Sequence, residues 1–155
     1  HTMVNKKVGI GTTMNLATSA GKAATIFSAV ILVAAVPATC IWIILLEFTP
    51  IRLEVERETL YAKHLNTNYE IPLEDIEQIE KITELPSWSK SKGTAMDTLE
   101  EGTFFIRNVG KCEVFLNPEN TEFLHFSADG TEYYMSGYDD AQTEEIYRLI
   151  GVEKK

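Results

Sequence analysis

Residues 121–150 read TEFLHFSADGTEYYMSGYDDAQTEEIYRLI, and this stretch decides the fold class. The segments Glu122–Ala128 and Thr131–Ser136 alternate between apolar and polar residues, as half-buried β-strands do. Between them, Asp129-Gly130 is a strong signal for a two-residue hairpin turn. After Ser136 the apolar spacing changes to that of a helix, so the sequence predicts two antiparallel strands followed by a helix.

The predicted C-terminal helix covers residues 139–150. Asp139 and Asp140 suit a helix start, and Gln142 follows Asp139 at the spacing of a capping box. The helix is expected to end at Gly151, and its apolar stripe consists of Ile146, Leu149 and Ile150. A helix with a single apolar stripe is suited to cover the open end of a small β domain.

Further strands are predicted toward the N-terminus, which gives about seven short antiparallel strands in a small barrel closed by one helix. Residues 86–101 are rich in Ser, Lys, Gly, Thr and Asp and are predicted to form the longest loop. A short polar break at Arg57-Glu58 predicts the first hairpin turn. Because Pro72 cannot donate to a ladder, its strand should end there or lie at a sheet edge. The other predicted strands are 51–56, 59–64, 69–71, one after a turn at Leu73–Ile76, 103–107 and 111–116. A short helix throughout residues 73–82 is the alternative to the turn and strand, which the isoleucine content favours.

An uncharged apolar run of 24 residues, Ala23–Leu46, precedes this domain. As a helix it would be about 36 Å long, enough to cross a hydrocarbon core of about 30 Å, so the sequence predicts a transmembrane helix. The alternatives are a cleaved signal peptide, a lipoprotein signal with its cysteine at Cys40, and a buried core helix. Residues 4–22 are interpreted as a juxtamembrane segment and residues 1–3 as a cloning remnant. Three basic residues on each side leave the orientation open.

The charge is divided unevenly along the chain. Residues 1–47 carry a net charge of +2 and residues 48–155 a net charge of −11, which together make −9. An acidic domain is a poor candidate for binding nucleic acid, because phosphate binding needs clustered Lys and Arg. The two cysteines, Cys40 and Cys112, have no metal-ligand spacing, and no catalytic motif occurs. The sequence therefore predicts no enzyme, no metal and no cofactor.

The order of strands followed by one terminal helix resembles the pleckstrin-homology fold, and in particular the bacterial pleckstrin-homology-like (PH-like) domains of small membrane-anchored proteins. The resemblance covers about residues 50–151. It implies a binding or assembly module. Its phosphoinositide-binding relatives carry Lys and Arg around the first hairpin, whereas Arg57-Glu58 here is flanked by acids, so phosphoinositide binding is not expected. The residues that carry the resemblance are Ile71-Pro72-Leu73, Ile76, Ile79, Glu84-Leu85-Pro86, Gly110–Leu116 and the Tyr133-Tyr134 strand leading into Asp139–Ile150.

The leading functional hypothesis is a non-enzymatic module, anchored in the bacterial cell membrane by residues 23–46, that binds a protein partner or a second copy of itself. The alternatives are a lipid or small-ligand binding domain at the membrane surface and a fragment of a larger membrane protein. Adjacent aromatic pairs must place one ring on each face of a strand. The candidate partner-binding residues are Trp88, Lys90, Lys92, Phe104 and Tyr134, and an acidic run, Glu74, Asp75, Glu77 and Glu80, is either a solvated or a partner-facing surface.

Overall fold

The computed structural model describes residues 3–5 and 12–153. Within these residues the chain is mainly β, with one helix before and one helix after the main β region. The elements are β1 (Met3–Asn5), β2 (Thr12–Met14), α1 (Ser19–Phe48), β3 (Arg52–Glu56), β4 (Thr59–His64), β5 (Thr67–Pro72), β6 (Ile76–Ile82), β7 (Trp88–Ala95), β8 (Glu100–Ile106), β9 (Gly110–Leu116), β10 (Phe123–Ala128), β11 (Thr131–Met135) and α2 (Asp140–Glu153).

Helix α1 contains the predicted membrane span. It has 30 residues, and none of its most apolar 18-residue window is buried, so its length and composition suit a bilayer crossing. Thr18 caps its start, because the Thr18 hydroxyl oxygen accepts the backbone N–H of Gly21 at 3.0 Å. Within the predicted juxtamembrane segment, β1 pairs with β2, while residues 6–11, and residues 1–2 of the predicted cloning remnant, lie outside the described residues. The chain divides between Leu45 and Leu46 into two compact units.

The second unit begins with a three-stranded antiparallel sheet in the order β3-β4-β5. The predicted first hairpin turn is confirmed, and its residues Arg57 and Glu58 have φ angles of 49° and 61°. Two positive φ angles are those of a type I′ turn, whose twist matches that of paired strands. Strand β5 ends at Pro72, as predicted from the missing N–H, and a turn at residues 73–75 leads into β6.

A six-stranded sheet follows in the order β6-β10-β11-β9-β8-β7, and it corrects the predicted barrel in two respects. Between residues 46 and 153 the second unit has nine strands in two sheets that do not close into a barrel, because β5 and β6 pair with different neighbours on either side of the Pro72 break. The sheet is also not fully antiparallel, since β11 runs parallel to β9. The predicted class, a mainly β PH-like domain with a terminal helix, is confirmed.

The predicted loop at residues 86–101 is wrong, because most of it is strand β7 in a hairpin with β8. Five consecutive β7 residues, Ser89–Gly93, are exposed, so this strand lacks the apolar alternation by which strands are recognised. Gly93 and Gly102 face each other across the hairpin with φ angles of 129° and 117°. A Cβ on Gly93 would lie 2.0 Å from the carbonyl oxygen of Glu101, so only glycine permits this approach of the two backbones.

The six-stranded sheet carries an apolar core on each face. One core lies between this sheet, the three-stranded sheet and α2, and it contains Leu60, Phe115 and Phe126. The other core is covered by Ile82 and Leu85 from one end of the sheet and by Trp88 from the other. Because residues near both edges pack on one cluster, the sheet curls around it. This second core consists of Phe104, Ile106, Cys112, Val114, Leu116, Phe123 and Tyr134.

Helix α2 packs through Ile146 and Ile150, which are 4% and 0% exposed. Leu149, predicted in the same stripe, is 41% exposed and therefore lies at the edge of the buried face. The predicted cap is observed, because the Asp139 carboxylate accepts the backbone N–H of Gln142 at 2.8 Å. The helix extends past the predicted end at Gly151 to Glu153.

Candidate functional site

The β7–β8–β9 end of the six-stranded sheet carries the most distinctive surface of the domain. Strand β7 is an edge strand, bonded to β8 on one side only. Ser91 is an extra residue in this strand, because Lys90 faces Phe104 and Lys92 faces the adjacent Thr103, which makes a β-bulge. The hairpin therefore presents two lysines on an exposed and twisted edge.

An exposed aromatic ring lies at the same end of the sheet, on the face that carries Lys92, whereas Lys90 is paired with Phe104 and lies on the other face of the edge. Phe105 is 49% exposed, and it stands directly opposite Ser89 on β7 and Lys111 on β9. Directly opposed residues in antiparallel strands have Cβ atoms about 5 Å apart, so the side chains of Lys111 and Phe105 leave their strands side by side. Arg107, two residues after Phe105, is exposed as well. We name Lys90, Lys92, Phe105, Arg107 and Lys111 the basic surface.

The four cations of the basic surface form no close ion pair in the described part of the chain, although Lys92 lines a cleft that Glu101 and Glu113 also line. Within residues 3–5 and 12–153, none of the ion pairs closer than 4.0 Å includes any of them. By contrast, Lys63 is paired with Glu54 at 3.2 Å, and Lys81 is paired with Glu144. Unpaired cations around an exposed ring are suited to a partner that carries carboxylates or other anions beside an apolar group.

An open groove of about 610 Å³ adjoins the ring of Phe105. Its wall is fixed by Trp88, whose indole packs edge to face against Phe104 and Tyr134, with ring centroids 5.5 and 5.4 Å apart. A groove with a rigid aromatic wall is a suitable place for an apolar side chain of a partner. The groove is lined by Ser87, Trp88, Ser89, Phe105 and Arg107.

Three of the five predicted site residues, Trp88, Lys90 and Lys92, lie on strand β7, with Trp88 and Lys90 on one face and Lys92 on the other. Phe104 and Tyr134 are 1% and 7% exposed and lie in the second core, so little of either ring is accessible to a partner. Sequence reasoning missed the other members of the basic surface. The signal for Phe105 was present in the adjacent pair of phenylalanines, since one of the two rings had to point outward.

The acidic run lies at the opposite edge of the same sheet. Strand β6 is bonded to β10 only, and Glu74, Glu77 and Glu80 at and before it are exposed. Among these acids only Glu80 takes part in an ion pair closer than 4.0 Å within the described residues, with His125 at 2.8 Å. The two free edges of one sheet therefore carry opposite charges. We name Glu74, Asp75, Glu77 and Glu80 the acidic edge.

A polar cleft of about 270 Å³ lies between β5 and the β7–β8 hairpin. At its base Glu113 accepts hydrogen bonds from the hydroxyl groups of Tyr69, at 3.0 Å, and Thr103, at 2.9 Å. Burial, with the negative charge of Glu113 as a second cause, raises the pKa of Tyr69 far above its usual range. The hydroxyl stays protonated and donates to the carboxylate, so this network joins the two sheets.

A buried pair lies beside the cleft. The Nδ1 atom of His64 is 3.0 Å from a carboxylate oxygen of Glu101, and the two residues are 3% and 7% exposed. The other ring nitrogen, Nε2, is buried without a hydrogen-bond partner among the described residues. Because His64 is on β4 and Glu101 on β8, this pair also links the three-stranded sheet to the six-stranded one.

Other chemistry-bearing groups serve the fold. His125 is hydrogen-bonded through both ring nitrogens to Glu80 and Glu132 and stacks on Tyr134, with ring centroids 4.5 Å apart. Burial raises the pKa of the Cys112 thiol to about 11, so this cysteine stays protonated and is a poor nucleophile at neutral pH. No group of three or more His, Cys, Asp or Glu side chains in the described part of the chain is arranged to hold a metal ion.

Comparison with known families agrees with this architecture. The sequence profile of the bacterial PH domain matches residues 51–148, which is more than half of the chain. The chain belongs to the bacterial PH domain family, and a candidate membrane-spanning helix precedes the family domain. No curated protein and no solved structure matches the chain.

Proposed function

We propose that this protein is a non-catalytic docking module, anchored in the bacterial cell membrane by α1, whose basic surface binds an acidic and partly apolar segment of a protein partner. The observation that carries the proposal is a set of four cations without an ion pair at one sheet edge, in a chain of net charge −9. Three of them, Lys92, Arg107 and Lys111, share a strand face with the half-exposed ring of Phe105. An isolated cationic surface on an acidic protein attracts anionic partners. The acidic remainder of the protein repels them, so binding is directed to that surface.

Anchoring is the coarser part of the proposal, and it rests on the helix Ser19–Phe48. We expect the full chain to remain in the pellet when bacterial membranes are washed with alkaline carbonate, because a helix of this length is not released by the loss of electrostatic contacts. Complete release into the supernatant would contradict the anchoring.

Docking is tested by cross-linking in living cells. A photoreactive amino acid in place of Ser89, which lines the groove beside Phe105, should form a covalent adduct with a protein. Asn66 provides the matched control position, because it is also exposed but lies in the β4–β5 turn of the other sheet. In an Arg107→Glu background the adduct from position 89 should weaken, while expression of the chain stays unchanged.

A second candidate uses the same surface. Unpaired cations beside an exposed aromatic ring are also suited to an anionic lipid surface. In that case vesicles of phosphatidylglycerol, but not of phosphatidylcholine, should reduce the mobility of a spin label at Ser89 in the reconstituted full chain. Label mobility that is independent of lipid charge, together with a protein adduct, supports protein docking over lipid binding.

A further inference from the structure

We propose that the acidic partner is a second copy of this chain, and that the acidic edge of one copy docks on the basic surface of the next. This inference rests on the proposed function and names its partner. The molecule has both surfaces: strand β7 carries Lys90 and Lys92 with no acid, and β6 with its preceding turn carries four acids before Lys81.

Charge decides which edges can meet. Two β7 edges brought together would place Lys90 and Lys92 against the same lysines of the other copy, and two β6 edges would oppose Glu74 and Glu77 in the same way. Like charges that face each other are destabilising, so both symmetrical contacts are disfavoured. The contact between β7 and the acidic edge of another copy pairs opposite charges and is the favoured one.

The ends of the sheet also suit a head-to-tail contact. Strands β6 and β7 occupy the two ends of one sheet and are each bonded to a single neighbour. Four antiparallel pairings and one parallel pairing separate them, so β6 and β7 have the same direction in the strand order. The β6 edge of a second copy can therefore lie next to β7, or its β7 edge next to β6, with the strands running in the same direction. A contact between two different surfaces of identical chains generates rings or open chains.

Both edges carry features that restrict backbone pairing with an arbitrary strand. Strand β7 has the bulge at Ser91, and β6 has a register shift opposite His125–Ser127 and a positive φ of 47° at Gln78. Bulges and charged side chains on edge strands prevent indiscriminate edge-to-edge association. The side-chain charges therefore select the partner. Every copy of the chain carries both edges, so a second copy offers the edge of complementary charge.

Reciprocal charge reversal tests the inference in the full chain, purified in an uncharged detergent. The Lys90→Glu/Lys92→Glu variant and the Glu74→Lys/Glu77→Lys variant should each self-associate at least tenfold more weakly than the wild type in sedimentation velocity. An equimolar mixture of the two should recover association to within about twofold, since each altered surface then meets its complement. The control Glu119→Lys/Glu145→Lys, which reverses two exposed acids elsewhere, should associate at least as strongly as the wild type.

Recovery in the mixture can only come from folded variants, so a loss through unfolding is distinguished from a loss of contact. If both reversed variants associate like the wild type, the inference is overturned. If the wild type is monomeric while the cross-linker at position 89 captures a different protein, the inference fails and the proposed function stands. If no protein adduct forms at position 89 in cells, the proposed function fails.

Discussion

The ring of Phe105 offers the sharpest quantitative test of the basic surface. Phe105 is 49% exposed, and a phenylalanine has about 200 Å² of surface, so about 100 Å² is available to a partner. At about 25 cal/mol per Å², covering this area contributes about 2.5 kcal/mol to association. Because about 1.4 kcal/mol corresponds to a factor of ten, Phe105→Ala should raise the dissociation constant of self-association by up to about 60-fold.

The dissociation constant is measured by sedimentation equilibrium of the full chain in an uncharged detergent. Tyr138→Ala is the matched control, because Tyr138 is 50% exposed, has a ring of similar size and precedes α2. The buried half of each ring makes both variants less stable, so melting curves must show that both are folded at the measuring temperature. A folded Phe105→Ala variant with the dissociation constant of the wild type would refute the reasoning.

Three further predictions concern stability, measured by chemical unfolding of the full chain. Tyr69→Phe should cost about 1–2 kcal/mol at neutral pH by removing the hydrogen bond to Glu113. Because the pKa of Tyr69 is raised in the folded state, its contribution to the free energy of unfolding is fully present below about pH 10. Above that pH only the unfolded state ionises at this residue, so the stability of the wild type falls. The Tyr69→Phe variant should lose less stability over the same pH range. A hydrogen bond from the Thr121 hydroxyl, and to a smaller extent bonds from backbone N–H groups, lowers the pKa of Asp140. The free energy of unfolding should therefore fall below about pH 4. Asp140→Asn should flatten that fall and cost about 1 kcal/mol at pH 7. Gly93→Ala should cost about 2 kcal/mol or more, because its Cβ would meet a backbone oxygen at 2.0 Å, and an unchanged unfolding midpoint would contradict this.

Local turn chemistry made much of the fold predictable from the sequence. The turns at Arg57-Glu58 and Asp129-Gly130 join strands where the alternation of apolar residues predicts them. Pairings between distant segments could not be predicted in this way. The parallel contact of β9 with β11 depends on how whole strands pack, and no residue within either strand marks it.

Strand β7 shows a second limit of sequence reasoning. Its residues Ser89–Gly93 are exposed, so it has no buried face that would impose a two-residue period. Its conformation is fixed by backbone hydrogen bonds to β8 and by the close approach of Gly93 to Gly102, both of which require knowledge of the neighbouring strand. A polar edge strand and a polar loop have the same composition, and only the pairing distinguishes them.

The candidate site was partly predictable for a related reason. Lys90 and Lys92 were recognisable as a local basic segment, but the choice between Phe104 and Phe105 depends on strand register, since a shift of one residue exchanges the buried and exposed faces. Once Phe104 is placed in the second core, Phe105 must point outward, and the facing Lys111 joins the same surface. Residues more than twenty positions apart in the sequence thus form one site.

The net charge does not reveal that basic and acidic residues lie at different ends of the six-stranded sheet, and this separation matters most for the proposed function. The second part of the chain has a net charge of −11, which argues against anionic partners when it is taken as an average. The folded domain separates the charges instead: the basic surface lies at the β7 end of the sheet and the acidic edge at the β6 end. At a Debye length of about 8 Å, a partner at one end responds mainly to the charges of that end. Each copy of the chain thus has both a basic surface that can bind an acidic segment and an acidic edge that can bind to it. Self-association therefore follows from the charge distribution without any additional site.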